Sequence, residues 1–264
     1  MDLLEPRTIE PSRSIQAQKI RGAVEKYGVN IQSTFTGGIE YHMNLLLHPD
    51  IEMRMDALDW FQNAVILTEE LEADSMGGII GAFSMKDNDN DSRRGFIISE
   101  LKEALHSLAT MAKTSELEYL LIEPSPIPKE LPSTIDESLH LYEYFNGGSP
   151  LPIKYLVDLG HACSYKSKGE GLDPCAWLRK VAKYCSIIHL QQTDGLFDRH
   201  WSFTKEESNK NGIIDTRKVI DAINESGAKE VCLVLELIHA FEAKESQVLD
   251  DPKESVDYWK KALG

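Results

Sequence analysis

The chain has 264 residues, 42% of them hydrophobic, enough to bury one sizeable core, and a single α/β domain over residues 1–264 is the expectation at this length. Its 28 Lys and Arg against 43 Asp and Glu give a net charge of −15, which repels phosphate backbones and leaves no basic stripe for nucleic acid. No apolar run approaches the roughly 18 residues a membrane helix needs, and no signal-peptide pattern opens the chain, so a cytoplasmic protein without membrane contact is expected. Cys163, Cys175, Cys185 and Cys232 have no CxxC spacing and read as reduced, buried thiols, none in a setting that would activate it as a nucleophile.

In chain order, Arg13 to Tyr27 has helical spacing of Ile15, Ile20 and Val24, and VNIQSTF (29–35) follows as a strand ending in the turn Thr36-Gly37-Gly38. Asp50 stands where an N-cap belongs, before a helix carrying Ile51, Leu58, Phe61, Val65 and Ile66 to about Asp74. MGGIIGAF (76–83) reads as a glycine-rich strand, and the polar stretch Lys86 to Arg94 as a loop. Phe96 to Lys113 is the next helix, YLLIE (119–123) a strand, and Ile135 to Tyr144 a short helix behind the Pro-rich PSPIPKELP. The alternation continues with IKYLVD, a helix around Pro174 to Tyr184, SIIHLQQ, a helix around Asp215 to Ser226, VCLVLE, and a last helix around Pro252 to Leu263.

This makes six strand–helix units where eight close a barrel. The opening MDLLEP looks like the tail of a strand or the loop after one. A chain that begins too late would leave open sheet edges, which folded proteins normally cover. A truncation, an internal start at Met1 or a homo-oligomer that covers the gap are the options.

Four apolar runs each deliver one metal-liganding side chain at the C-terminal end: Glu123 (YLLIE), Asp158 (IKYLVD), His189 (SIIH) and Glu236 (VCLVLE). A helix-like stretch separates each from the next, so the runs read as successive parallel strands joined by crossover helices. Parallel strands put their C-terminal ends on one face, and in a barrel that face is the mouth where catalysis takes place. Three carboxylates and an imidazole around one point suit a divalent ion such as Mn²⁺, Mg²⁺, Co²⁺ or Zn²⁺. Asp158 carries the most weight, because a carboxylate after IKYLV is costly to bury unless it is paired or metal-bound. His42, His48, His106, His140 and His239 read as structural.

The ordered set Glu123, Asp158-Leu-Gly-His161, His189-Leu-Gln-Gln and Glu236, with the glycine-rich strand at 76–83, resembles the xylose-isomerase-like TIM barrels. That family includes tagatose/psicose 3-epimerases, sugar-phosphate isomerases and endonuclease IV-type AP endonucleases. The resemblance extends from about residue 12 to the end, and HLQQTDGLFDRHWSFT is similar to tetrulose-phosphate epimerases. It implies a (β/α)8 barrel lacking the first one to two strands, a metal bound by Glu123, Asp158, His189 and Glu236, and His161 on a substrate oxygen. It further implies proton transfer α to the carbonyl of a small ketose or ketose phosphate. Such chemistry needs a carboxylate on each face of the carbon, and Glu123 and Glu236 are the acid/base pair.

Asp198-Arg199-His200 resembles a stretch that holds an additional zinc in AP endonucleases, but the further ligands that site needs are missing. We therefore read it as a loop that grips substrate, Arg199 holding a phosphate or hydroxyl. The alternatives are a metal-dependent phosphodiesterase of the endonuclease IV kind and a non-catalytic truncated family member.

Overall fold

In a computed structural model of the chain, residues 4–36, 45–208 and 211–263 are described. Gly37, Gly38 and His42, for which the sequence suggests a turn and a structural histidine, lie outside them, as do Met1 to Leu3. The chain groups into two compact units: Met1–Glu123 with Lys129–Leu131 and His140–Lys154, and Pro124–Pro128 with Pro132–Leu139 and Tyr155–Gly264.

In the first unit, α1 (Ser12–Tyr27) packs on α2 (Ile51–Glu70) through Ala17, Leu67 and Leu71, and Arg13 Nε donates to Glu70 Oε1 at 3.0 Å. Asp50 caps α2 as expected, its Oδ1 accepting from Glu52 N at 2.8 Å. Three strands, β1 (Ser33–Thr36), β2 (Ser75–Gly78) and β3 (Tyr119–Ile122), pair in parallel, Phe35 opposite Gly77 and Gly77 opposite Leu121. The glycines of β2 have a steric reason: a Cβ on Gly77, where φ is +152°, would collide with the backbone of Leu121.

The segment expected to be a loop, Lys86 to Arg94, is instead helical at both ends. Ser84 caps the short α3 (Met85–Asn88), and Asn90 caps α4 (Asp91–Thr114) by accepting from Arg93 N at 3.0 Å. Polar residues such as Ser84 and Asn90 suit a helix cap as well as a loop. Helix α5 (Ile135–Asn146) follows β3.

Strand β4 (Ile153–Asp158), which enters the second unit at Tyr155, β5 (Cys185–Leu190) and β6 (Cys232–Leu235) are also parallel. Their apolar residues are buried in β4 and β5, as befits parallel strands covered on both faces. The order continues with α6 (Pro174–Val181), the single-turn α7 (Lys205–Ser208), α8 (Thr216–Ser226) and α9 (Glu245–Leu263). Helix α6 packs against α8. Helix α9 starts well before the expected Pro252, which therefore sits inside it. The six strands occur in the expected order, but all except β4 are shorter than the apolar runs that announce them.

Candidate metal centre

The apolar run of β4 ends in Asp158, 2% exposed, and the chain turns at once into a 3-10 turn over Leu159–His161. Asp158 caps that turn, its Oδ1 accepting from Gly160 N. The β4–β5 register places His189 opposite Asp158, and the β5–β6 register continues so that Glu236 N, one residue past β6, donates to Leu190 O at 3.0 Å. Ladder pairing between neighbouring parallel strands thus fixes all three backbones. Their side chains converge: His189 Nδ1 lies 2.8 Å from Glu236 Oε2 and 3.9 Å from Asp158 Oδ2, and one ligand atom of each lies within 4.8 Å of the others.

The electrostatics are unusual for a packed interior. Burial raises the Asp158 carboxyl to about 8, against the pull of His161 and with a further push from Glu236. Burial pushes Glu236 in the same direction, but the hydrogen bond from His189 outweighs it and brings that carboxyl down to about 2. Asp158 Oδ2 is buried without a hydrogen-bond partner. An orphaned carboxylate oxygen facing an imidazole and a second carboxylate is costly unless a cation completes it. The two oxygens and one nitrogen suit Mn²⁺, Mg²⁺, Co²⁺ or Zn²⁺, so the residues fit a divalent ion.

Beside them lies a second group. His161 Nδ1 is 2.7 Å from Pro124 O, and its Nε2 is 3.4 Å from Asp198 Oδ2. His200 Nε2 lies 3.0 Å from the same oxygen. Burial would raise Asp198, yet the hydrogen bonds from His161 and His200 hold it well below the usual carboxylate range. Burial in turn disfavours the His200 imidazolium, but Asp198 outweighs that and raises it to about 9. The Asp198 carboxylate is therefore compensated by protein donors.

Arg199 has a protein partner in the structure. Its guanidinium is engaged by Asp194, with Nη2 donating to Oδ2 at 2.7 Å and Nε reaching the same carboxylate, and it lies over the rings of Phe197 and Trp201. Glu123 belongs to the first unit, where it follows β3, is 2% exposed, and continues the ladder by donating its N–H to Gly78 O at 2.9 Å. The cysteines are all free, and burial raises every one of the four thiols, the opposite of nucleophile activation.

Gln191, to which sequence reasoning assigns no role, is fully buried and contacts both acidic groups. The signal for it was strand alternation, since a residue two beyond His189 faces the same side. Gly160 was likewise passed over.

The model for the xylose isomerase-like TIM barrel family matches residues 2–262. A D-erythrulose 1-phosphate 3-epimerase of Brucella abortus (strain 2308) is 30% identical over 242 residues, 90% of this chain and 76% of that protein. A solved structure from Rhodospirillum rubrum ATCC 11170, provisionally named a xylose isomerase, is 30% identical with a TM-score of 0.90 over 98% of this chain and 86% of its own. The D-psicose 3-epimerase of Clostridium cellulolyticum H10 shares the fold at 12% identity, TM-score 0.71, over 95% of this chain and 84% of its own. The chain belongs to the xylose isomerase-like TIM barrel family, and it is an enzyme of the sugar isomerase and epimerase kind.

Proposed function

We propose that the chain is a divalent-metal-dependent epimerase or isomerase that moves the proton α to the carbonyl of a small ketose or ketose phosphate. The observation that carries this reading is the buried convergence of Asp158, His189 and Glu236 at the ends of three neighbouring strands. Glu123 is the fourth ligand in this proposal: it directly follows β3, as Asp158 closes β4, and in the family's barrel the C-terminal strand ends share one mouth. Similarity to an enzyme named for D-erythrulose 1-phosphate favours a four-carbon ketose phosphate. The reading places the work in the cytoplasm on a small molecule, with no nucleic acid partner, in line with the charge of −15.

Glu123 and Glu236 are the acid/base pair. Glu236 can serve as the proton acceptor because the hydrogen bond from His189 keeps it ionised despite burial. Glu123 would return the proton from the other face. A bound divalent ion would supply Lewis acidity to the adjacent substrate oxygens. His161 and His200, both held by Asp198, would line the substrate side of the site, and a substrate hydroxyl would reach either imidazole only by taking the place of one of its present partners. Arg199, fixed by Asp194, would shape the loop and meet a phosphate only at its edge.

The test is exchange of the substrate α-hydrogen with solvent deuterium, followed by NMR, using purified protein with Mn²⁺ across C4 to C6 ketoses and their phosphates. Exchange into one sugar, with appearance of its epimer or isomer, is the expected result. A folded, metal-binding protein that exchanges none of them would overturn the reading.

A further inference from the structure

We propose that Gln191 is a positioning residue, which presents Asp158 to the metal through a single oxygen and ties the Asp198–His200 segment to the same point; this rests on the metal-dependent reading above. The carboxamide is saturated. Nε2 donates to Asp158 Oδ1 at 2.8 Å and to Asp198 Oδ1 at 2.6 Å, which uses both of its hydrogens, and it lies 3.2 Å from His200 Nδ1. Oε1 accepts from the backbone N–H groups of Arg199, at 3.1 Å, and His200. Those two backbone donors fix which end of the amide is oxygen, because a flipped amide would set NH₂ against two N–H groups.

The consequence for Asp158 is asymmetric. Its Oδ1 takes hydrogen bonds from Gly160 N and Gln191 Nε2, while Oδ2 is buried without one and faces His189. One oxygen is thus anchored by the protein and the other is left to a cation, as outer groups do when they orient a metal's ligands. On the other side, His200 holds a left-handed φ of 50°, a backbone state uncommon for a non-glycine residue. The two N–H groups converging on Gln191 Oε1 hold it there.

Gly160 completes the device. A Cβ there would overlap the Gln191 carboxamide, and a side chain that is 0% exposed with both ends hydrogen-bonded has nowhere to yield. The Asp-x-Gly-His stretch therefore contributes a ligand, the space for its positioning residue and His161 within four positions.

The experiment compares wild type with Gln191→Met, which removes the donors and the acceptor, and Gly160→Ala, which keeps the amide's chemistry but crowds it. Co²⁺ is titrated into each metal-free protein and followed by visible absorption, with circular dichroism to establish folding and kcat and KM measured alongside. Co²⁺ binding about 10–100-fold weaker in the variants, with altered absorption bands, is the expected result, and kcat falls more than KM changes. Gly160→Ala, a one-methyl change, keeps the test open if Gln191→Met does not fold. Wild type that binds Co²⁺ beside folded variants that bind it within twofold, with the same bands, would overturn the role of Gln191 alone. Wild type that takes up no Co²⁺ would overturn the metal reading and this inference together.

Discussion

Burial raises the Glu236 carboxyl, and a protonated carboxyl cannot accept a proton from a substrate; the His189 imidazole beside it outweighs that push and holds the carboxyl low. Glu236→Gln keeps the shape and loses both the charge and the basicity. We expect turnover to fall by a factor of about 10²–10⁴, the range of a positioned acid/base group, while circular dichroism stays native; near-normal turnover would refute the two-carboxylate mechanism. Asp158 has the opposite bias, since burial lifts it to about 8 and it is largely protonated at pH 7. A metal needs the ionised form, so loading should release about one proton at pH 7. Apparent affinity should then rise with pH up to about 8 and level off above it. Calorimetry in two buffers of different ionisation enthalpy reads the release directly, and equal heats in both would exclude it. The convergence of Asp158, His189 and Glu236 was legible because an apolar run that ends in Asp, His or Glu leaves few inexpensive explanations. Gln191 was not, because glutamine carries no charge signal and its partners include backbone groups of a loop. The pairing of Arg199 was illegible for a related reason: nothing in a loop's sequence says that Asp194 will take the guanidinium.

At the scale of elements, periodicity located every strand and long helix, but the ladder of β2 stops at Gly78 where the apolar run continues to Phe83. Gly81 and Ala82 leave it to form single bridges with Leu45 and Glu130. Composition cannot distinguish residues in a ladder from residues merely buried beside one. The α3–α4 corner was missed because Ser84 and Asn90 are equally good loop and cap residues, and α9 because a proline reads as a start rather than an interior position. Two glycines of the first unit provide a contrast that tests this reading. Gly22 lies inside α1 with open space around its Cβ position, so Gly22→Ala should gain about 1 kcal/mol from helix propensity. Gly77→Ala drives a methyl into the Leu121 backbone across the β2–β3 pair, where only backbone movement could relieve it. Denaturant unfolding should show the midpoint raised in the first and strongly lowered in the second; similar midpoints would mean that β2 is not held as closely to β3 as described.

For the whole molecule, the charge of −15 opposes a polyanionic substrate and favours cations. Within the second unit the acids Asp158, Asp198 and Glu236 gather at one place, Asp158 fully buried and the other two partly so, and the side chains set against them are histidines. A divalent ion that binds only the folded chain must stabilise it by mass action, by about 2.7 kcal/mol at a free concentration one hundred times its Kd. For a chain of this size that corresponds to a rise in Tm of about 5–10 °C. The rise should appear with Mn²⁺ or Co²⁺ at micromolar to millimolar concentration and disappear with EDTA. Asp158→Asn provides the control: it removes the ionisable ligand while keeping an oxygen for Gly160 N, so the metal-free protein should still fold and the metal-dependent rise should largely vanish. If Asp158→Asn kept the full rise, the stabilising ion would be bound somewhere other than among Asp158, His189 and Glu236. A wild type with no rise at saturating metal would mean that these three side chains are reconciled by protons alone.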